Sequence, residues 1–107
     1  MTKQEAIENH RKMWRWIAEQ TRIRKRIVSK NEYFDTFGIP YISTCCYCCE
    51  YAENTCSNCP IEWNRRYCMD SEYAKWLYAD TWQEAAHWAE VIAELPERIE
   101  VNYNEKI

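Results

Sequence analysis

The chain has 107 residues, of which 47% are hydrophobic, and it carries a formal net charge of −3. This length fits one domain over residues 1–107, and this apolar content excludes a chain that is disordered by composition. A single glycine disfavours β-rich folds, because these need many tight turns with positive φ. No stretch approaches the roughly 20 apolar residues of a membrane span, and the chain starts without the apolar core of a signal peptide. We therefore expect a small, mainly α domain in the cytoplasm.

Three segments begin with a Ser or Thr that is followed three residues later by Glu. This is the pattern of a capping box, in which the hydroxyl accepts from the third backbone N–H and the Glu reaches back to the N–H of the cap. The pairs are Thr2 with Glu5, Ser29 with Glu32, and Thr81 with Glu84. Each pair precedes a run with helical apolar spacing, so the pattern predicts three helix starts.

The first predicted helix covers residues 3–28. Apolar residues and one histidine recur there at spacings of three and four, which places them on one helical face. These residues are Ile7, His10, Met13, Trp14 and Ile17. A second helix is predicted over 30–37, because Gly38 suits the left-handed position just past a helix end and Pro40 prevents continuation.

The segment 41–70 holds all seven cysteines. Its apolar content is too low for it to fold around its own side chains, so it needs another source of order. Two Cys-x-x-Cys pairs, Cys46 with Cys49 and Cys56 with Cys59, are separated by six residues. They offer four thiolates to a tetrahedral Zn²⁺, whose Zn–S distances are near ~2.3 Å. We therefore predict a central zinc-knuckle segment over 41–70, with one structural zinc as the cofactor.

The choice of ligands stays open at this stage. Cys45 and Cys48 form an overlapping Cys-x-x-Cys pair, and Cys68 is an alternative ligand. The same thiols could hold an iron–sulfur cluster, form disulfides or a redox-active dithiol, or pack as small apolar side chains. A reducing cytoplasm and an odd cysteine count favour metal over disulfides. His10 and His87 lie in predicted helices and are interpreted as packed or surface histidines.

Two further helices are predicted over 72–79 and 82–95. Ser71 or Asp70 caps the former, and Pro96 ends the latter. The polar tail that follows, 97–107, reads either as a strand or as a frayed end. Three aromatic residues lie off the apolar stripes and form either a second packed layer or an exposed patch for a partner. They are Trp16, Tyr78 and Trp88.

Charge is unevenly distributed along the chain. Residues 1–30 carry nine Lys and Arg against three Asp and Glu, whereas residues 70–107 carry three against nine. The densest basic segment could contact nucleic-acid phosphates, and it consists of Arg22, Arg24, Lys25, Arg26 and Lys30. The alternative interpretation is a solvated face, or an ion-pairing surface for the acidic last third.

No catalytic motif is present in the sequence. It lacks a phosphate-binding Gly-rich loop, an H-E-x-x-H helix and a G-x-S-x-G elbow. A catalytic zinc would keep an open position and commonly uses His or carboxylate ligands. The sequence therefore favours a binding or regulatory protein over an enzyme.

Two cysteine runs, Cys46-Tyr47-Cys48-Cys49-Glu50-Tyr51 and Cys56-Ser57-Asn58-Cys59-Pro60-Ile61-Glu62-Trp63, carry a resemblance to a known family. With the segments 10–18 and 93–98, they resemble small cysteine-rich proteins encoded by bacteriophages and prophages. The recurring cysteines of that family match Cys46, Cys49, Cys56, Cys59 and Cys68, while Cys45 and Cys48 are additional here. The resemblance implies a zinc knuckle and a phage protein in the host cytoplasm, and it implies no reaction.

Together these features predict a zinc-stapled protein-binding or regulatory module. We expect its partner to be a protein of the host or of an antiphage-defence system, which it would inhibit, and a homo-oligomer is compatible with the same features. The alternative is a nucleic-acid-binding regulator that uses the basic segment 22–30.

Overall fold

The computed structural model of the chain describes residues 1–42, 46–53, 58–64 and 68–98. It confirms the predicted mainly α class, because these residues form helices and none of them lies in a β-strand. The helices are α1 (Lys3–Arg24), α2 (Lys30–Phe37), α3 (Tyr47–Tyr51), α4 (Glu72–Leu77) and α5 (Trp82–Ala93), with a 3₁₀ turn at Cys68–Asp70. Among them, no helix combines the length and the apolar character that a bilayer crossing needs.

The three predicted capping residues all begin helices. Their hydroxyl oxygens accept from the backbone N–H three residues on, in the pairs Thr2–Glu5 (3.1 Å), Ser29–Glu32 (3.4 Å) and Thr81–Glu84 (3.2 Å). In the first two pairs the Glu carboxylate also accepts from the backbone N–H of the cap, which completes the box. These starts were predictable because every partner lies within four residues of the others.

Helix α1 ends at Arg24, four residues before its predicted end at 28. Lys25 adopts the left-handed conformation, with φ of 53°. The backbone N–H of Val28 donates to Thr21 Oγ1 at 3.3 Å, so the chain turns back instead of continuing the helix. Ile23 and Ile27 extend the apolar spacing, but they are 64% and 43% exposed. Because little of their surface is buried, these side chains contribute little free energy to a longer helix.

The ends of the other elements also differ from prediction. Helix α2 covers the predicted 30–37, whereas α4 and α5 each end two residues earlier than predicted, at Leu77 and Ala93. Helix α3 lies inside the segment that was predicted to be a loop. It has only five residues, so it leaves no periodic signal in the sequence.

Helices α1 and α5 pack against each other in antiparallel orientation. Three ion pairs run along their contact: Lys3–Glu97 (3.3 Å), Arg15–Glu94 (3.3 Å) and Arg22–Glu90. Between them lie buried residues of both helices, among them Ile7, Met13, Trp14, Ile17, Ala85, Ala89 and Ile92. Helix α4 covers one end of this core through Tyr73 and Trp76, whose rings meet Trp14 edge to face at 5.9 and 4.8 Å.

The cysteine segment packs onto this helical core. Cys46, Cys48, Cys59 and Cys68 are buried in the same apolar cluster as Trp14 and Ile92. The segment therefore shares the core of the helices, whereas the sequence suggested that it needed an independent source of order. Burial in an apolar cluster gives the thiol groups and the imidazole of a buried histidine no polar partner, so their polar atoms need other contacts.

Residues 58–64 are fixed against the end of α5 and the start of α4. Ile61 and Glu97 form an isolated antiparallel bridge, and Glu62 N donates to Pro96 O at 2.9 Å. The buried carboxylate of Glu72 accepts from Asn64 N at 3.3 Å and from the side chains of Asn64 and Ser71. Most of the predicted tail, 99–107, lies outside the described residues.

Candidate metal centre

His10 enters the centre from the buried face of α1 and has no exposed surface. Its Nε2 lies 3.0 Å from Ile92 O in α5. Because a carbonyl oxygen only accepts, Nε2 must carry the proton, and Nδ1 then presents a lone pair. Nδ1 is buried and has no partner that meets hydrogen-bond geometry among the residues that the structure describes. A buried acceptor of this kind costs about 1–3 kcal/mol unless something binds it.

Two thiols lie at this side of the imidazole. Cys46 precedes α3 and Cys48 lies in its first turn, and both are buried. One ring nitrogen of His10 and the two sulfurs all lie within 4.8 Å of one another. In a tetrahedral site with Zn–S bonds of ~2.3 Å the sulfurs are about 3.8 Å apart. The buried His10, Cys46 and Cys48 group can therefore hold a metal ion after small side-chain adjustments.

A third thiol, Cys59, adjoins this group from the segment 58–64. It is 7% exposed, and its sulfur is hydrogen-bonded to Cys48. The Cys48 bond, the backbone N–H of Ile61 and the indole N–H of Trp63 together lower the pKa of Cys59 to about 7, against the effect of burial. The Trp63 ring also meets His10 edge to face, with ring centroids 6.2 Å apart. Trp63 therefore contacts both Cys59 and the imidazole.

The three thiols divide their protons unequally. The hydrogen bond with Cys48 holds the pKa of Cys46 well below its ordinary value, and the nearby His10 and the backbone N–H of Cys49 act in the same direction. Cys48 shows the opposite shift: its pKa is raised because it is hydrogen-bonded to Cys46 and to Cys59, which ionise first. A divalent cation bound here would displace the remaining thiol protons, because cysteine binds metals as the thiolate.

The predicted ligands have different positions in the structure. Cys46 belongs to the group and Cys59 adjoins it. Cys49 is half-buried, and Cys68 is buried, and neither sulfur belongs to the three-residue group. Cys56, like Cys45, lies outside the described residues. The four-cysteine set therefore stays a prediction.

Two residues of the group were not among the predicted ligands. Cys48 belongs to the overlapping cysteine pair, and His10 was interpreted as a packed or surface histidine. The available signal for His10 was its place on the apolar face of α1, where a buried imidazole needs partners for both nitrogens. His87, by contrast, is exposed and stacks edge to face on Trp88 at 4.8 Å.

The oxidised alternative has no support among the cysteines whose positions are described. None of Cys46, Cys48, Cys49, Cys59 and Cys68 forms a disulfide. Metal binding and thiol packing both remain compatible with this.

The basic segment proposed for nucleic acids is engaged within the chain. Arg22 pairs with Glu90, and Arg24 and Arg26 both pair with Glu32, at 3.5 and 2.6 Å. The ammonium of Lys30 lies over the Tyr73 ring, 5.1 Å from its centroid. Among these contacts, only Arg22–Glu90 matches the predicted pairing with the acidic last third, since Arg24 and Arg26 pair within the first third. All of these contacts reduce the positive charge that could meet phosphates.

Comparison of the chain with protein-family models, with curated proteins and with solved structures finds no match. The resemblance to phage proteins thus stays a prediction.

Proposed function

We propose that this chain is a phage-encoded, zinc-stapled helical module that acts by binding a protein of its host or of an antiphage-defence system. The observation that carries the metal part is the buried group of His10, Cys46 and Cys48, whose ligand atoms all lie within 4.8 Å of one another, while Nδ1 of His10 meets no partner of hydrogen-bond geometry among the described residues. A bound cation would satisfy this lone pair and both thiolates together. Because these donors are buried, they suit a structural ion better than a catalytic one.

The mixed donor set favours zinc over an iron–sulfur cluster. Thiolate and neutral imidazole are ordinary zinc ligands. Iron–sulfur clusters usually take four thiolates, and the clusters with histidine use two imidazoles on one iron. One histidine among cysteines therefore supports zinc as the ion.

A surface of aromatic side chains supports the proposed binding role. We call it the aromatic face and define it as Trp16, Phe37 and Tyr41. Phe37 and Tyr41 are 46% and 65% exposed, and Trp16 is half-buried with its ring 5.7 Å from that of Phe37. Tyr41 is joined to this pair through the buried rings of Phe34 and Tyr33. Aromatic residues are enriched at interface hot spots, because they bury a large area at a small entropic cost.

Metal analysis of untagged protein tests the metal part of the proposal. We expect one zinc per chain, and we expect a strong chelator to lower the melting temperature, because structural zinc contributes folding free energy directly. The fully reduced, metal-free protein treated with magnesium is the control for ionic effects. Protein that carries no metal and melts identically in chelator would refute the proposal.

Binding of host proteins tests the functional part. Partners captured by the wild-type chain should be lost from a Phe37→Ser, Tyr41→Ser double variant. Tyr78→Ser is the matched control, since Tyr78 is 74% exposed and lies outside the aromatic face. Partners retained by the double variant, or lost equally from the control, would contradict a role for the aromatic face.

A further inference from the structure

The three-residue group leaves one position of a tetrahedral site to be filled. Cys59 is the described thiol that adjoins it: it is buried in the same cluster as Cys46 and Cys48, its sulfur is hydrogen-bonded to Cys48, and Trp63 contacts both it and the His10 ring. Its sulfur lies outside the group of atoms within 4.8 Å of one another, so ligation needs a side-chain movement. The structure assigns Cys59 as the fourth ligand of a closed Cys₃His centre for a zinc-like divalent cation, completed by His10 Nδ1, Cys46 and Cys48. This inference rests on the proposed metal function and specifies its ligands.

The four ligands come from three separate parts of the chain. His10 belongs to α1, Cys46 and Cys48 flank the start of α3, and Cys59 lies in the segment that bridges to Glu97. An ion at this place would hold the cysteine segment to the α1–α5 pair. The fold therefore brings these ligands together from distant parts of the sequence, and the set differs from the two predicted Cys-x-x-Cys pairs.

Outer hydrogen bonds orient three of the four donors. Ile92 O holds the His10 imidazole through Nε2, and the backbone N–H of Cys49 points to the sulfur of Cys46. Cys59 receives the backbone N–H of Ile61 and the indole N–H of Trp63. Outer partners of this kind fix ligand orientation and stabilise thiolates in metal sites.

Cys48 differs because its outer contact is made by the thiol proton. Its sulfur lies 3.8 Å from Ala6 O, as a donor. Metal binding would remove this proton, so the contact belongs to the metal-free state. Cys49, in contrast, donates its backbone N–H to the sulfur of Cys46. It therefore supports the site through its backbone, and its own sulfur is not one of the four ligands.

Cobalt(II) titration of single variants tests the ligand set. We expect wild-type protein to bind one Co²⁺ with the visible spectrum of a tetrahedral site of three thiolates and one nitrogen. Cys48→Ser and Cys59→Ser should weaken Co²⁺ binding by more than the roughly 10- to 100-fold loss typical of outer-partner changes. Cys49→Ser and Cys68→Ser are the matched controls and should bind as wild type.

Cadmium-113 NMR of the wild-type protein makes the test independent of variant folding. The cadmium resonance should show coupling to the nitrogen-15 of His10 Nδ1 and a shift typical of three thiolates. A four-thiolate shift, or loss of Co²⁺ on Cys49→Ser and Cys56→Ser with retention on Cys48→Ser and Cys59→Ser, would overturn this ligand set while leaving the metal function in place. Absence of any bound Zn²⁺, Co²⁺ or Cd²⁺ would overturn the metal function itself.

Discussion

His10 shows how one residue can serve both the core and a binding site. It has the periodicity of a core residue of α1, and it is fully buried. One of its nitrogens binds Ile92 O, while Nδ1 meets no partner of hydrogen-bond geometry among the described residues. An apolar residue would fill the same space without this polar atom. The histidine therefore costs free energy unless a cation or a thiol proton satisfies Nδ1.

This reasoning predicts that His10→Leu acts differently with and without metal. In chelator we expect the free energy of unfolding to change by less than about 1 kcal/mol, because the unsatisfied nitrogen is removed. Ile92 O keeps its bond from Leu95 N, at 3.3 Å. In zinc the variant should lack the metal-dependent part of the stability. Urea unfolding in both conditions measures this, and a loss of more than about 2 kcal/mol in chelator would indicate a structural role unrelated to metal.

Glu32 is a second residue whose surroundings determine its chemistry. Arg26 donates two hydrogen bonds to its carboxylate, at 3.1 and 2.6 Å, and Ser29 N donates a third at 2.9 Å. The bonds from Arg26 are the main reason that the pKa of Glu32 is lowered to about 2, with burial acting in opposition. The ionised form is thus bound more favourably in the folded chain than in the unfolded one.

A pH-dependent contribution to stability follows from this shift. The unfolded pKa is about 4.3, so the contribution of Glu32 is complete above about pH 5 and is lost as the pH falls towards 2. Glu32→Gln should lower the free energy of unfolding by up to about 1 kcal/mol at pH 7, and this difference should shrink on acidification. Denaturant unfolding between pH 7 and pH 3 measures it. A difference that is independent of pH, or that persists with Arg26→Met, would contradict the assignment.

At the scale of elements, short local signals determine where helices begin. The Ser and Thr caps were readable from the sequence, because their partners are three residues away. The end of α1 was not readable from the sequence, because it depends on a contact between Val28 N and Thr21 Oγ1 that forms only once the chain has turned back. The two left-handed residues that follow α1 and α2 provide a direct test of these ends. One is Lys25, with φ of 53°, and the other is Gly38, with φ of 62°.

Opposite substitutions at these two positions should have opposite effects. Gly38→Ala introduces a Cβ in the left-handed conformation, and with no atom within 4 Å of that Cβ the cost is conformational. We expect a loss of about 1 kcal/mol. Lys25→Gly should leave stability unchanged or raise it by up to about 1 kcal/mol. Thermal and urea unfolding measure both, and equal losses at the two positions would argue against conformational strain as the cause.

The candidate site divides in the same way between local and tertiary information. The crowding of cysteines over 45–68 predicted a metal-binding segment, and of its predicted ligands Cys46 lies in the three-residue group and Cys59 adjoins it. The spacing of the cysteines does not indicate whether Cys48 or Cys49 is the ligand, because the two are adjacent and their orientation depends on α3. Nor could it add His10, which lies 36 residues before Cys46 and meets it only in the folded chain.

At the scale of the whole molecule, the charge asymmetry of the sequence is resolved inside the fold. The basic first third and the acidic last third meet in the antiparallel α1–α5 pair, through Arg15–Glu94 and Arg22–Glu90. Exposed ion pairs of this kind add little stability. Their larger effect is to lower the net field that a phosphate backbone would meet.

Because the arginines are paired within the chain, we expect weak binding to nucleic acid that becomes stronger when their acidic partners are neutralised. Wild-type protein should bind a DNA duplex weakly in a fluorescence anisotropy titration. Neutralising the acidic partners in a Glu32→Gln, Glu90→Gln variant should strengthen binding and steepen its dependence on salt, because the freed arginines then release counterions from the duplex. Glu8→Gln and Glu53→Gln together are the matched control, since they alter net charge equally outside these pairs. Tight, salt-dependent binding by the wild type that is lost on changing Arg24, Lys25 and Arg26 to Ala would instead favour the nucleic-acid regulator, because the basic segment would then reach phosphates despite its partners.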